Sequence, residues 1–150
     1  MFRKFSILLL ITAVGLFSFC KKKKQTVQDN IPYQTVNKTI YPGDPLYFKL
    51  QVVGGWVYLN NVGINGIIVY RAAMNSSADF VAIERTSTWL PDDPYALAKV
   101  QSDNFTLKDT ISGSKWQITN GSVISGPATQ PLRQYNAFYD NGTGALKITN

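Results

Sequence analysis

The chain has 150 residues, of which 15 are lysine or arginine, 9 are aspartate or glutamate, one is cysteine and none is histidine. Without histidine there is no Ser-His-Asp triad, no Cys-His dyad and no imidazole ligand for a metal ion. A single cysteine excludes an internal disulfide, a thiolate zinc site and an iron–sulfur cluster held by cysteines alone. The length is that of one domain.

The positive charge is concentrated at the N-terminus. Six of the fifteen cationic residues, Arg3, Lys4 and Lys21 to Lys24, lie within residues 1–24, which contain no acid. Residues 25–150 therefore hold nine basic and nine acidic residues and carry no net charge. Binding to nucleic acid requires a basic stripe on the folded surface, so nucleic acid is not a predicted partner.

The N-terminus resembles the signal sequence of a bacterial lipoprotein. Arg3 and Lys4 precede an apolar run over residues 5–19, which is short for a bilayer-spanning helix and typical of a secretory signal. Cys20 follows this run, in the place of the lipidated cysteine of a lipobox, although Phe19 stands where Gly, Ala or Ser is usual. The resemblance implies cleavage before Cys20 and acylation of Cys20, which would anchor the chain to a membrane. An uncleaved signal anchor with an incidental cysteine is the alternative.

The resemblance to a lipoprotein signal sequence predicts three segments. Residues 1–19 are the lipoprotein signal peptide, residues 20–30 are the lipidated cysteine with a basic tether, and residues 31–150 are one folded domain. The run of lysines at 21–24 suits a solvated tether that lies against anionic headgroups. It lacks the acidic residues that mark some envelope lipoproteins for surface export, which favours the periplasmic face of a cell-envelope membrane.

The domain is predicted to be all-β. Alternating or short apolar runs rich in Val, Ile, Tyr, Phe, Trp and Thr indicate strands, and no helical stripe stands out. The predicted strands are residues 47–53, 56–59, 66–71, 80–85, 105–109, 115–119, 133–139 and 145–149. Residues 93–100 are a weaker candidate for a helical turn. Short antiparallel strands at this spacing favour a small β-sandwich or barrel.

Four segments carry a resemblance to a known family. They are IPY at 31–33 with PLY at 45–47, GIIVYR at 66–71, FVAIERT at 80–86, and SGSKW at 112–116 leading through GSV at 121–123 to GPATQPL at 126–132. In this order the chain resembles the Rieske-like (ISP-domain) lipoproteins of bacteria, described as ferredoxin subunits of nitrite reductase or ring-hydroxylating dioxygenase. The resemblance implies a Rieske-like all-β fold over residues 31–150.

The resemblance also implies a cluster site whose ligands have been replaced. A Rieske domain holds [2Fe–2S] with Cys-x-His in one loop and Cys-x-x-His in another, two ligands of each type. The first pair falls on Ser87 and Trp89, and the second falls on Asp109 and Ser112. An indole offers only an N–H donor, and a serine hydroxyl must lose its proton before it ligates iron. No cofactor is therefore expected.

Other features of the cluster loops are altered too. The cysteines that join the two loops in high-potential members correspond to Asp92 and Ile111. We expect Trp89 to be buried in the volume that the cluster vacates, with Ile111 packed beneath it. We further expect Ser87, Asp109 and Ser112 to form hydrogen bonds across the gap.

Two groups of acidic residues are candidate sites. Asp92, Asp93 and Asp109 would supply carboxylates to a Ca²⁺ ion, but such a site needs six or more oxygens, and a Pro-Asp-Asp-Pro turn is the simpler interpretation. Glu84 and Asp109 would be an acid/base pair, although nine acids in one domain make some pairing inevitable. Neither a metal site nor a catalytic residue is predicted.

The predicted function is therefore that of a non-enzymatic, cluster-less Rieske-like lipoprotein. Its predicted contacts are a membrane, through Cys20, and an envelope protein, through residues 87–94, 109–115 and 126–132. Two alternatives come from other classes. One is an electron-transfer subunit that holds a [2Fe–2S] cluster in an unforeseen way, and the other is a small-ligand binder that uses the emptied cluster cavity.

Overall fold

β-branched and aromatic residues form ten strands within the part of the chain that the computed structural model describes, residues 31–76 and 78–150. The strands are β1 (Asn37–Ile40), β2 (Trp56–Leu59), β3 (Ile67–Arg71), β4 (Phe80–Glu84), β5 (Ala98–Val100), β6 (Thr106–Asp109), β7 (Lys115–Gln117), β8 (Val123–Ser125), β9 (Gln134–Asp140) and β10 (Ala145–Thr149). The predicted signal peptide 1–19, Cys20 and the tether 20–30 lie outside the described residues.

The strands make two sheets in which every pairing is antiparallel. The larger has the order β1-β10-β9-β4-β3-β2, and the smaller has the order β5-β6-β7-β8. The predicted all-β class is thereby confirmed. No helix among the described residues is long and apolar enough to cross a bilayer.

The larger sheet is buried on both faces at its centre. On one face, residues from both edge strands and from the central strands pack into a single hydrophobic cluster, so the sheet curls around that cluster. The strand residues of the cluster are Ile40, Leu59, Ile67, Val69, Phe80, Ala82, Leu146 and Ile148. On the other face, Ile68 and Ile83 pack with Leu107 and Trp116 of the smaller sheet. Burial on both faces explains why β3 is a continuous Ile-Ile-Val run rather than an alternating one.

The prediction of a strand over residues 47–53 is wrong. Pro45–Gln51 form a 3-10 helix with a kink at Tyr47. The Asp44 carboxylate caps its start by accepting a hydrogen bond from the Leu46 N–H at 2.8 Å, and the φ of Pro45 is preset for the first helical position. These start signals outweigh the strand propensity of the apolar residues that follow.

Three short strands were not predicted. The prediction of a helical turn over residues 93–100 is wrong for the last three residues, which form β5 and pair with β6. β1 has three exposed residues out of four, and no residue of β8 is fully buried. Edge strands with so few buried side chains show no alternation from which to predict them.

The last residue of β4, Glu84, has a buried carboxylate. Its Oε1 accepts hydrogen bonds from the Asn65 N–H at 3.1 Å and from the Thr86 N–H and Oγ1 at 3.1 and 2.9 Å. Its Oε2 accepts from the Ile64 N–H at 2.9 Å and from the Tyr135 hydroxyl at 2.7 Å. Five donors compensate for the cost of burying this charge. They also fix the loop before β3 and the start of β9 to the end of β4.

The Tyr135–Glu84 contact predicts a loss of stability at alkaline pH. Burial, together with the hydrogen bond to the Glu84 carboxylate, raises the pKa of the Tyr135 hydroxyl above its ordinary value of 10.0. The contribution is therefore complete below about pH 10 and is lost as pH rises through the unfolded and then the folded pKa. We expect the free energy of unfolding in urea to fall as the pH rises from about 10 to about 12.

Tyr135→Phe is the control for that measurement, because lysines also titrate in this range and only the difference between the two proteins reports on Tyr135. The variant should lose less stability than the native chain over the same interval. An equal alkaline loss in both proteins would contradict the role given to this contact.

Candidate functional site

Three loops meet at one end of the two sheets. The first connects β4 to β5, the second connects β6 to β7, and the third connects β8 to β9. Thr86 pairs with Leu97 across the first loop, and Ala98 pairs with Asp109 at the start of the second, so the two loops are neighbours. We call residues 87–94, 109–115 and 126–132 the tip.

The first loop is shaped by its own hydrogen bonds. The Ser87 N–H donates to the Ala96 carbonyl at 3.0 Å, which closes the loop at its base. Within it, the Asp93 N–H donates to the Leu90 carbonyl at 3.2 Å, and an Asp93 carboxylate oxygen accepts from the Tyr95 N–H at 2.8 Å. The Pro-Asp-Asp-Pro segment is thus held as a turn by backbone groups and one carboxylate.

Asp109 organises the second loop from within. Its carboxylate is fully buried and accepts hydrogen bonds from the Ile111 N–H at 2.9 Å, the Ser112 N–H at 3.3 Å and the Ser112 hydroxyl at 2.5 Å. A carboxylate that accepts several hydrogen bonds from the residues just after it fixes a tight turn. Hydrogen bonds within the loop therefore give it a defined shape.

The Ser114 hydroxyl connects the second loop to the third. It lies 2.9 Å from the Ser112 hydroxyl and accepts a hydrogen bond from the Ala128 N–H at 3.1 Å. Gly126 makes this approach possible, because a Cβ there would lie 2.6 Å from Ser114 Cα, and its φ of +100° favours glycine. Hydrogen bonds therefore run from the Ala128 amide through two serines to the Asp109 carboxylate.

The Gln130 carbonyl connects the third loop to the first. It accepts hydrogen bonds from the Thr88 hydroxyl at 2.8 Å and from Trp116 Nε1 at 3.1 Å. The indole of Trp116 is fully buried beneath the tip, packed with Leu107 and Leu132. One carbonyl oxygen thus joins a loop, a core side chain and a second loop.

Hydrogen bonds join the four expected ligand positions within each pair, Ser87 with Trp89 and Asp109 with Ser112. Asp109 and Ser112 are bonded to each other, as above. Ser87 is buried, but its hydroxyl accepts from the Trp89 N–H at 3.4 Å within its own loop rather than across the gap. The expected hydrogen bonds between loops are made instead by Thr88, Ser114 and the Gln130 carbonyl.

The expectation that Trp89 is buried is wrong. Its side chain is 49% exposed, and Ile111, which was expected beneath it, is 56% exposed. The interior of this end is occupied by Trp116, and the Ala128 N–H donates to the Ser114 hydroxyl between the second and third loops. Trp89 and Ile111 therefore project from the tip into solvent.

The four side chains do not fit a [2Fe–2S] cluster. The Trp89 indole has no lone pair to offer, and the Asp109 oxygens already accept three hydrogen bonds from their own loop. The two serines supply neither thiolate nor imidazole. Among the described residues no group of three or more His, Cys, Asp or Glu is placed to hold a metal ion.

Glu84 and Asp109, the candidate acid/base pair, each accept hydrogen bonds from their own neighbours. Glu84 accepts five hydrogen bonds and Asp109 accepts three, in each case from nearby groups. Both side chains are fully buried. Their hydrogen bonds are those of carboxylates that hold loops in place.

Sequence reasoning missed the residues that join the loops. Ser114 stands out only as part of the SGSKW segment, and the partner it meets, Ala128, is joined through its backbone. Gln130 acts through its carbonyl, which every residue possesses. Gly126 was the one available signal, because a glycine beside a proline marks a close approach or a turn.

Comparisons with known proteins leave the family open. No family model and no curated protein matches the chain. Among solved structures it is similar to a chain of the complex of reduced oxygenase and oxidized ferredoxin in carbazole 1,9a-dioxygenase, with 23% sequence identity and a TM-score of 0.44. The alignment covers 65% of this chain and 82% of that chain. A likeness of this size identifies neither a family nor an activity.

The role of Asp109 predicts a large effect from a small change. Asp109→Asn keeps the shape of the side chain but replaces one acceptor oxygen with an NH₂ group that faces a donor. We expect a loss of about 1.5–3 kcal/mol in the free energy of unfolding, measured in urea. Thr110→Ala, a change at the exposed neighbour, should cost less than about 0.5 kcal/mol. Equal effects of the two changes would be inconsistent with this role.

The exposure of Trp89 predicts that the side chain adds little to stability. Trp89→Ala should lower the free energy of unfolding by less than about 1.5 kcal/mol, because half of the side chain is already in water. Trp116→Ala, at the fully buried indole, should cost about 3–5 kcal/mol. If Trp89→Ala were as costly as Trp116→Ala, Trp89 would be a core residue after all.

Proposed function

We propose that the chain is a Rieske-like domain without a cluster, non-enzymatic, which binds a protein of the cell envelope through the tip. The proposal places it on a membrane by acylation of Cys20, on the periplasmic face. The observation that carries it is the pair of exposed apolar side chains, Trp89 and Ile111, on loops that are themselves firmly fixed.

The Rieske-like assignment is supported by where the quoted segments lie. The family carries its two ligand pairs on two loops, and here the corresponding positions, 87–89 and 109–112, lie on neighbouring loops at one end of the strands. The third loop, 126–132, covers both through the Ser114 and Gln130 hydrogen bonds. This placement agrees with the resemblance found in the sequence.

Binding through the tip is supported by the combination of rigidity and exposure. A loop held by its own carboxylate, by a neighbouring serine and by a shared carbonyl loses little conformational entropy when a partner binds. Tryptophan is also one of the side chains that are enriched at the anchor positions of protein interfaces. A rigid base under a half-exposed indole is therefore well suited to docking.

The two alternatives find less support in the structure. An electron-transfer subunit needs ligands for its iron, and the chain offers no histidine and only Cys20, which precedes the folded domain. A small-ligand binder needs an open cavity between the cluster loops. Between the loops, the Gln130 carbonyl accepts from the Thr88 hydroxyl and the Ser114 hydroxyl accepts from the Ala128 N–H, so hydrogen bonds take up that place.

Photo-crosslinking in cells tests the proposal. A photoreactive benzoylphenylalanine is placed at position 89 of the full-length chain, and the matched control carries it at position 105, where Phe105 is 44% exposed at the opposite end of the smaller sheet. We expect a discrete protein adduct from position 89 and none of that size from position 105. No adduct at position 89, or the same adduct from both positions, would overturn the proposal.

A further inference from the structure

The chain enters the domain at the same end as the tip. The Arg133 guanidinium, which is buried, donates hydrogen bonds to the Ile31 carbonyl at 2.7 Å and to the Pro32 carbonyl at 2.8 Å. The Arg133 carbonyl in turn accepts from the Glu84 N–H at 2.9 Å. Residue 31 is thus held beside the end of β4, three residues before Ser87 opens the first loop of the tip.

The strand registers define the opposite end. Trp56 pairs with Tyr70, and Arg71 pairs with Phe80, at the ends of β2, β3 and β4 that are remote from Glu84. The turn between β5 and β6 lies at that remote end too, because Asn104 accepts a hydrogen bond from the Trp56 indole at 2.9 Å. We call this the far end.

The length of chain before residue 31 limits how the domain faces a membrane. From Cys20 to Ile31 there are eleven steps along the backbone, which reach about 36–40 Å when fully extended and average about 17–20 Å in a flexible coil. A folded domain of this size has a radius of gyration of about 13–14 Å, so its far end lies about 30 Å from the chain entry. At its average coil length this segment is shorter than that distance, so a membrane anchored at residue 20 lies, on average, closer to the tip than to the far end.

The charges of the tip favour one kind of partner at that membrane. Beside Trp89 the first loop carries Asp92, whose side chain is exposed, and Asp93, which is partly exposed. The four lysines at 21–24 are attracted to anionic lipid headgroups, whereas the two carboxylates are repelled by them. The apolar and acidic first loop of the tip is complementary to a protein surface that combines an apolar pocket with a cation.

From these observations we propose that the tip faces the membrane to which the chain is anchored and docks on a protein held in that same membrane. The indole of Trp89 enters an apolar pocket of this partner, and Asp92 meets a basic side chain at its rim. The inference rests on the proposed function, since it names the partner class for the same surface.

The orientation is tested without any partner. The full-length lipidated protein is placed in vesicles of phosphatidylethanolamine and phosphatidylglycerol at a ratio of about 3:1, with an energy acceptor on the headgroups. A fluorescent donor is attached at Trp89→Cys or, in a second protein, at Phe105→Cys. We expect clearly higher transfer from position 89 than from position 105. Equal or reversed transfer with the native tether would overturn the orientation.

A spacer gives the matched control for that experiment. Insertion of about 20 Gly and Ser residues between Asn30 and Ile31 lengthens the tether enough to release the domain from one orientation. Transfer from the two positions should then become similar. If the difference persisted unchanged, the tip would be held at the bilayer by direct contact with lipid, and the protein-docking inference would fail.

The partner class is tested in cells by the crosslink at position 89. We expect the adduct in the membrane fraction, at least tenfold weaker when Asp92→Lys is added, and less reduced with Asp92→Asn. An adduct with a soluble protein, or an adduct insensitive to Asp92→Lys, would overturn this inference while leaving docking through the tip intact. Absence of any adduct at position 89 would instead overturn the proposed function itself.

Discussion

The tip depends on two hydrogen-bond acceptors that are each shared between loops, the Ser114 hydroxyl and the Gln130 carbonyl. Ser114 joins the loop after β6 to the loop after β8 through the Ala128 amide. Gln130 joins the loop after β8 to the loop after β4 through the Thr88 hydroxyl, while also accepting from the buried Trp116 indole. If either acceptor were lost, the third loop would lose its connection to one of the other two loops.

Under the proposed function, these shared acceptors take the place that the Rieske-like family gives to a metal cluster. A cluster ties its two loops together covalently and adds to the stability of the fold. In this chain the equivalent loops are tied by a carboxylate, two hydroxyls and a carbonyl, none of which is an iron ligand of a Rieske site. The consequence is a rigid end whose exposed groups are an indole, an aliphatic side chain and an acidic turn. That set of groups suits recognition of a protein.

The sequence predicted the central strands well because burial on both faces leaves a strong pattern. β2 and β10 have the predicted limits, and β3, β4 and β9 differ from them by one or two residues. The 3-10 helix at Pro45–Gln51 was missed because the local start signals at Asp44 and Pro45 oppose the propensity of the apolar residues after them. The prediction that Trp89 is buried was wrong. A single sequence does not show that Trp116, on strand β7, already fills that end of the core. The hydrogen bonds between loops that use backbone groups, such as the Gln130 carbonyl and the Ala128 amide, cannot be predicted from residue type.

Hydrogen exchange at two amides tests most directly whether the tip is fixed by its own hydrogen bonds. They are the Ala128 amide, which donates to Ser114, and the Ile111 amide, which donates to Asp109. In full-length protein treated with a chelator, we expect both to exchange within about tenfold of the slowest amides of β3 and β4. Exchange of either amide at the rate of an unfolded chain would contradict the account, because the tip would then be open without an added group to hold it.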